Sequence, residues 1–213
     1  MARKTKTQAL ETRQHILDAA IAEFSARGVS ATSLTDIANA AGVTRGAIYW
    51  HFKNKVELFN DVWENCESQI HALEIEYQTK YPDDPLRMLR EILIYLLRVT
   101  VSDPRRRALM EIIFHKCEFV GEMTSIHEAR KALYMEGYTK IELLLQNCVA
   151  RKQLPNNLNT RQAGIIMKAY MTGLMENWLL MPSSFNLEAL SEQFIDTYIE
   201  MLRLCPSMLK SNA

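Results

Sequence analysis

The 213-residue sequence is short of chain breakers, with 7 Gly and 6 Pro. Strand-and-turn architectures use such residues at every reversal, so long helices are expected instead. Cysteine is scarce as well. Cys66, Cys117, Cys148 and Cys205 lie far apart, with no paired-cysteine zinc spacing and no disulfide framework, which reads as reduced thiols in a cytoplasmic protein. There is no opening apolar run, and the most apolar stretch, about 92–101, is too short and too close to arginine to cross a bilayer. Glycine-rich phosphate loops and nucleophile elbows are missing. His115, Cys117 and His127 do not have the spacing of a metal site and read as structural. No catalytic residue, metal or cofactor is expected, and no membrane partner.

Net charge is the last absence, since 25 basic residues balance 25 acidic ones. The balance is not local. Residues 1–55 hold eight Lys or Arg against the acidic residues Glu11, Asp18, Glu23 and Asp36, a net charge of +4, and the remainder carries −4. A basic front module on an acidic body suits a DNA-binding regulator. Hydrophobic content of 48% with 23% charged residues is that of an ordinary globular protein.

Residues 33–55, SLTDIANAAGVTRGAIYWHFKNK, read as a short helix, a glycine turn, a second short helix and a basic exit into a longer one. Ser33 and Asp36 are placed to start the first helix, Gly42 to turn the chain, and Thr44 to cap the second helix. Leu34, Ile37, Val43, Ile48 and Phe52 supply the apolar contacts between them. Arg45 and Tyr49, four apart, share one face of the second helix. This is a helix-turn-helix. Arg45 suits a bidentate contact to guanine, and Gly46 lacks the bulk that would hold the backbone off the groove. Tyr49 and His51 offer polar groups to phosphate, and Trp50 can pack on sugar. Thr32, Ser33, Thr35 and Thr44 are further candidates for DNA contact. Lys55, beside the next helix N-terminus, reads as a phosphate anchor.

The run from Thr44 through Tyr49, His51 and Phe52 to Lys55 and Leu58 resembles the hallmark of the TetR family of bacterial repressors. In that family the pattern is roughly T-x-[GA]-x-[LIF]-Y-x-[HY]-F-x-x-K-x-x-L. Gly28, Thr32, Ile37, Ala38, Ala41, Gly42 and Val43 match the segment upstream of it. The resemblance extends along the whole chain, most closely to drug-efflux repressors of the family. It implies an all-α fold of about nine helices: a helix-turn-helix domain over 1–54 and an effector-binding and dimerisation domain over 55–213. It further implies a homodimer on double-stranded operator DNA, with half-sites about 34–36 Å apart, released by hydrophobic cationic drugs or dyes.

Helices are expected at about 9–26, 55–80, 85–101, from 104, at 122–152, 161–180 and 187–204. The helix from 104 presents two apolar faces at α-helical spacing, Leu109, Ile112 and Ile113 on one and Met110, Phe114 and Cys117 on the other. Thr160 is expected to cap the helix at 161–180. Trp63 and Glu67, one turn apart with Ile70 nearby, place a carboxylate beside an indole, a combination suited to a lipophilic cation. Glu67 falls at the edge of the apolar stripe, so a solvated carboxylate is the other reading. Met110, Phe114, Cys117 and Trp178 are candidate pocket walls. Arg130 interrupts an apolar face and either reaches water or pairs with Glu67. The last two helices carry more apolar surface than one core needs. With the resemblance, that points to a self-complementary interface through Tyr170, Leu174, Trp178, Phe194 and Tyr198.

Overall fold

The computed structural model describes residues 6–117 and 124–210; the side chains at 66, 67, 69, 125–130 and 132–134 lie outside that description. Nine α-helices follow one another among the described residues. They are α1 (Lys6–Arg27), α2 (Leu34–Ala40), α3 (Arg45–His51), α4 (Lys55–Lys80), α5 (Pro85–Ser102), α6 (Pro104–Glu111), α7 (Thr124–Ala150), α8 (Thr160–Leu180) and α9 (Leu187–Leu204). None of the described helices is long and apolar enough to cross a membrane.

The chain divides into two compact units, Met1–Gln69 with Arg105–Ala129, and Ile70–Pro104 with Arg130–Ala213. The division falls inside α4 and assigns the segment after α5 to the first unit. In the first unit α1 buries Ile16, Leu17, Ala20, Ile21 and Phe24, residues that recur at helical spacing on one face. Phe24 meets Phe59 of α4 at 6.0 Å between ring centroids. Burying each ring removes it from water at a gain of about 1.5–3 kcal/mol. The Arg13 guanidinium lies 5.1 Å from the centroid of Phe52 and pairs with Asp61.

After Glu111, α6 continues as a π-helical turn, Ile112–Lys116. Its wider winding breaks the α-helical spacing from which two apolar faces were expected. Leu109, Met110, Ile112 and Ile113 are all buried together, while Phe114 and Cys117 are only half-buried. The turn also fastens the end of α1. Gly28, at φ +81°, swings the chain so that the Val29 N–H donates to the Lys116 carbonyl at 3.1 Å. Lys116 Nζ returns a bond to the Ser25 carbonyl at 2.5 Å.

In the second unit α5 packs against α9 and α8, burying Leu86, Leu89, Leu93, Ile94 and Leu97. Pro85 opens α5 where its missing N–H is harmless, behind the Asp84 cap. Arg90 forks onto Asp196 of α9 with bonds of 2.6 and 2.8 Å. Arg98 reaches Ser191 and Glu192 two turns further along α5. Where α7 and α8 meet at Gly164, a Cβ would sit 3.2 Å from Ile141 Cγ2, so any larger residue requires the Ile141 side chain to give by a few tenths of an ångström. The cap of α8 is Asn159, one residue before the expected Thr160; its side chain accepts from the Gln162 N–H and Thr160 is buried.

Candidate nucleic-acid interface

The two short helices of the helix-turn-helix are held by local chemistry at each end. Ser33 Oγ accepts from the Asp36 N–H at 3.1 Å, and an Asp36 oxygen accepts from the Ser33 N–H at 2.9 Å, a reciprocal capping box. The hydrogen bond from the Ser33 hydroxyl, then that from its backbone, hold the Asp36 carboxyl below its ordinary pKa. At the other end of α2 the Gly42 N–H donates to Asn39 and the Val43 N–H to Ala38. These are the two bonds of a Schellman motif, and they require the left-handed φ of +64° that Gly42 adopts. Thr44 then caps α3, its side chain accepting from the Ala47 N–H at 3.1 Å.

Ile48 is the buried residue of α3, so most of the remaining surface of this helix faces outward. Trp50 is 73% exposed and Tyr49 45%, far from the buried state expected if they served the core. Phe52 does serve it, at 1%. Arg45 is exposed, and its guanidinium carbon lies 5.7 Å from the centroid of the Tyr49 ring. Trp50 and His51 meet edge to face at 4.5 Å between ring centroids. Gly46 has open space where a side chain would go, with only the Thr44 hydroxyl at 4.0 Å from an added Cβ. Nothing in the chain's own packing requires glycine there. Ser33 and Thr35 are exposed at the start of α2, though the Ser33 hydroxyl is already engaged with Asp36.

Two residues expected to touch phosphate are placed otherwise. Thr32 is 1% exposed, and its hydroxyl donates to the Gly28 carbonyl at 2.7 Å. Lys55 is 8% exposed, with Nζ donating to the carbonyls of Val29 at 3.0 Å, Thr32 at 3.1 Å and Ser30 at 3.4 Å. Its ammonium thus closes the loop between α1 and α2 from inside, and is correspondingly unavailable as a surface anchor. Lys53, two residues earlier, has an exposed side chain. Residue type does not distinguish it from Lys55, since both lysines sit in the same basic exit from α3. Only its backbone has a local engagement, the N–H donating to Glu57 Oε2 at 2.7 Å while Asn54 caps α4 through the Glu57 N–H.

The effector candidates are divided between the two units. Trp63, Met110, Phe114 and Cys117 belong to the first unit, Ile70 and Trp178 to the second. Trp63, Ile70, Phe114 and Cys117 are half-buried, Met110 and Trp178 buried. The Glu67 and Arg130 side chains, and any pairing between them, lie outside the described residues. Of the interface candidates, Tyr198 and Trp178 are buried within the single chain. Tyr198 is 0% exposed within a single chain, its hydroxyl donating to the Ala163 carbonyl at 2.9 Å. Trp178 is likewise closed over by its own chain. Tyr170, Leu174 and Phe194 remain accessible and line an open groove of about 490 Å³ with Met181 and Phe185. Among the described residues no three His, Cys, Asp or Glu gather where they would hold a metal ion.

Two family models match the chain: bacterial regulatory proteins of the tetR family over residues 16–62, and the C-terminal region of MAATS-type transcriptional repressors over residues 84–204. The sequence is 58% identical to the HTH-type transcriptional regulator AcrR of Shigella flexneri over 208 residues, covering 98% of this chain and 97% of that protein. Its fold is similar to that of NalD, the secondary repressor of the MexAB-OprM multidrug efflux pump in Pseudomonas aeruginosa. That match has a TM-score of 0.82 at 31% identity and covers 94% of this chain and 100% of the other. SmeT of Stenotrophomonas maltophilia, in complex with triclosan, matches with a TM-score of 0.81 at 26% identity, covering 95% and 96% of the two chains. With both halves of the sequence matched and the helix-turn-helix in place, the chain belongs to the TetR family of bacterial regulatory proteins, as a transcriptional repressor.

Proposed function

We propose that this repressor binds a near-palindromic operator as a homodimer, controls a multidrug efflux operon, and is released by a hydrophobic small molecule, with lipophilic cations the first class to test. The observation that carries the DNA-binding half is the surface of α3. Its one buried residue is Ile48, and it holds Arg45, Gly46, Tyr49, Trp50 and His51 on a helix capped at Thr44. In this reading Arg45 reads a guanine edge in the major groove, and the phenol of Tyr49 bonds a phosphate. Thr44, His51, Ser33 and Thr35 add backbone contacts. Lys53 replaces Lys55 as the phosphate anchor at the exit from α3, since its side chain is not buried. The similarity to AcrR over nearly the whole length, and to repressors described as controlling efflux pumps, supports the choice of target operon.

The second copy seats on α8 and α9. Support comes from the groove at Tyr170, Leu174 and Phe194 and from large apolar side chains that one chain leaves in water, Leu180 at 66%, Met181 at 59% and Leu204 at 76%. Leu174→Glu places a charge in that groove, and the expected result is a monomer by light scattering with far-ultraviolet circular dichroism unchanged. A dimer of unaltered strength would remove this face from the interface.

Binding of the full-length protein to the labelled upstream region of an efflux operon, followed by fluorescence anisotropy, tests the whole reading. Specific binding is expected to exceed random-sequence binding by at least about 10³, and saturating cationic dye is expected to lower operator affinity. The coupling is reciprocal, so the operator complex binds the dye less tightly by the same factor. Unchanged operator affinity at saturating dye overturns induction by cations. The same titration with triclosan separates a cation requirement from a preference for hydrophobic aromatics.

A further inference from the structure

The contact between Arg45 and Tyr49 adds a role for the tyrosine that its phenol does not cover. We infer that Tyr49 is a positioning residue for Arg45: its ring holds the guanidinium in the orientation that reads the operator base. This rests on the DNA-reading function proposed above. Three observations carry it. The two residues are one helical turn apart on α3, with the guanidinium carbon 5.7 Å from the ring centroid. At 45% exposure the Tyr49 ring is not needed by the core, which α3 enters through Ile48. Among the described residues no carboxylate pairs with Arg45, and the Tyr49 ring lies against it.

The physical reason is the geometry of arginine recognition. A guanidinium reads guanine by presenting two edge N–H groups in one plane to O6 and N7. A solvent-exposed arginine on a four-torsion stem otherwise spreads over many rotamers, and that freedom is lost on binding. An aromatic face under the guanidinium restricts it beforehand while using none of its five N–H donors, because the attraction runs through the flat face. A carboxylate partner at this position would restrict the arginine too, but would occupy the donors that the base needs.

The ring and the phenol are separable by substitution. The duplex is selected from a random library by the full-length wild-type protein, then altered one base pair at a time. Arg45→Ala identifies the base pair whose alteration no longer matters. Tyr49→Leu is expected to lower discrimination at that same base pair about two- to fivefold, the range of an exposed cation–π contact, and to leave the other positions unchanged. Tyr49→Phe keeps the ring, so discrimination there is retained while affinity for every duplex falls through loss of the phenol. In an Arg45→Ala background Tyr49→Leu is expected to add nothing at that base pair. Because Tyr49 is exposed, all variants are expected to fold, and matching circular dichroism and urea midpoints verify it. Full discrimination in Tyr49→Leu overturns the inference, as does an equal loss in Tyr49→Phe and Tyr49→Leu. A library from which the wild-type protein selects no sequence overturns operator reading itself, and this inference with it.

Discussion

Lys55→Met separates an internal tie from a phosphate anchor. Methionine keeps most of the length and apolar stem of lysine and removes the ammonium, which donates to Val29, Thr32 and Ser30 at 3.0, 3.1 and 3.4 Å. Hydrogen bonds involving a charged group contribute roughly 1.5–3 kcal/mol each when taken singly. The three are not additive. Ser30 is exposed and its carbonyl regains water, and the Val29 carbonyl keeps the Thr32 N–H at 3.3 Å. Relief from burying the ammonium offsets part of the remainder. A net loss of about 2 kcal/mol in the first unit follows, which at a urea slope of about 2 kcal/mol/M lowers the midpoint by about 1 M. Trp50 and Trp63 belong to this unit and Trp178 to the other. Fluorescence of the first two in a Trp178→Phe background therefore reports the affected unit by itself. Under conditions where the variant is folded, its salt dependence of operator binding is expected to match the wild type. The opposite pattern, an unchanged urea midpoint with the slope of log K against log salt smaller by about 0.9, would refute the internal tie and return Lys55 to the phosphate backbone.

Three further outcomes are expected. Gly46→Ala fills open space in a helix with a better helix former, so stability by urea denaturation is unchanged or rises by about 0.5 kcal/mol, while operator affinity falls; an unaffected affinity would show that the groove does not approach this backbone. Native Cys205, whose pKa is lowered by its bond with the Ser207 hydroxyl and backbone, is expected to alkylate near neutral pH. Cys148 is expected to stay unmodified until the chain unfolds, since it is 0% exposed and burial pushes its thiol up to about 12; peptide mass mapping of a timed iodoacetamide reaction checks the order. Asp196 has its pKa lowered, first by the hydrogen bond from Arg90. A depressed folded pKa adds stability above the ordinary carboxylate value and loses it as pH falls through the folded one. Asp196→Asn is therefore expected to lower stability against urea at pH 7, by no more than about 1 kcal/mol for a pair with this much solvent access, and to approach the wild type in acid, once the folded-state carboxyl is protonated. An equal deficit at pH 7 and in acid would mean that packing, not charge, is what the carboxylate supplies.

The expected element order was legible because it is written in short-range chemistry. Ser33 and Asp36 form their box three residues apart, Gly42 supplies the positive φ of the turn, Thr44 and Asn54 accept from N–H groups three residues on, and Pro85 follows the Asp84 cap. The α1 stripe that ends at Phe24 follows from helical spacing alone. The same spacing misled after Glu111, because a π turn changes the number of residues per turn without any glycine or proline to announce it. The expected interface also mixed two kinds of apolar residue. Tyr170, Leu174 and Phe194 line an open groove, while Tyr198 and Trp178 are closed over by their own chain. All five are large and apolar, and residue type does not say which neighbour will cover them.

What the sequence determined by itself was the set of helices, the outward-facing helix α3 and the family of the chain, since caps, turns and amphipathic faces act within a few residues. Tertiary structure decided which polar groups remain for a ligand. Lys53 and Lys55 are the same residue type two positions apart, yet one is exposed and the other has its ammonium held by carbonyls 23 to 26 residues earlier. A phosphate anchor needs an uncommitted cation, and whether a lysine is committed depends on backbone oxygens that only the folded loop brings to it.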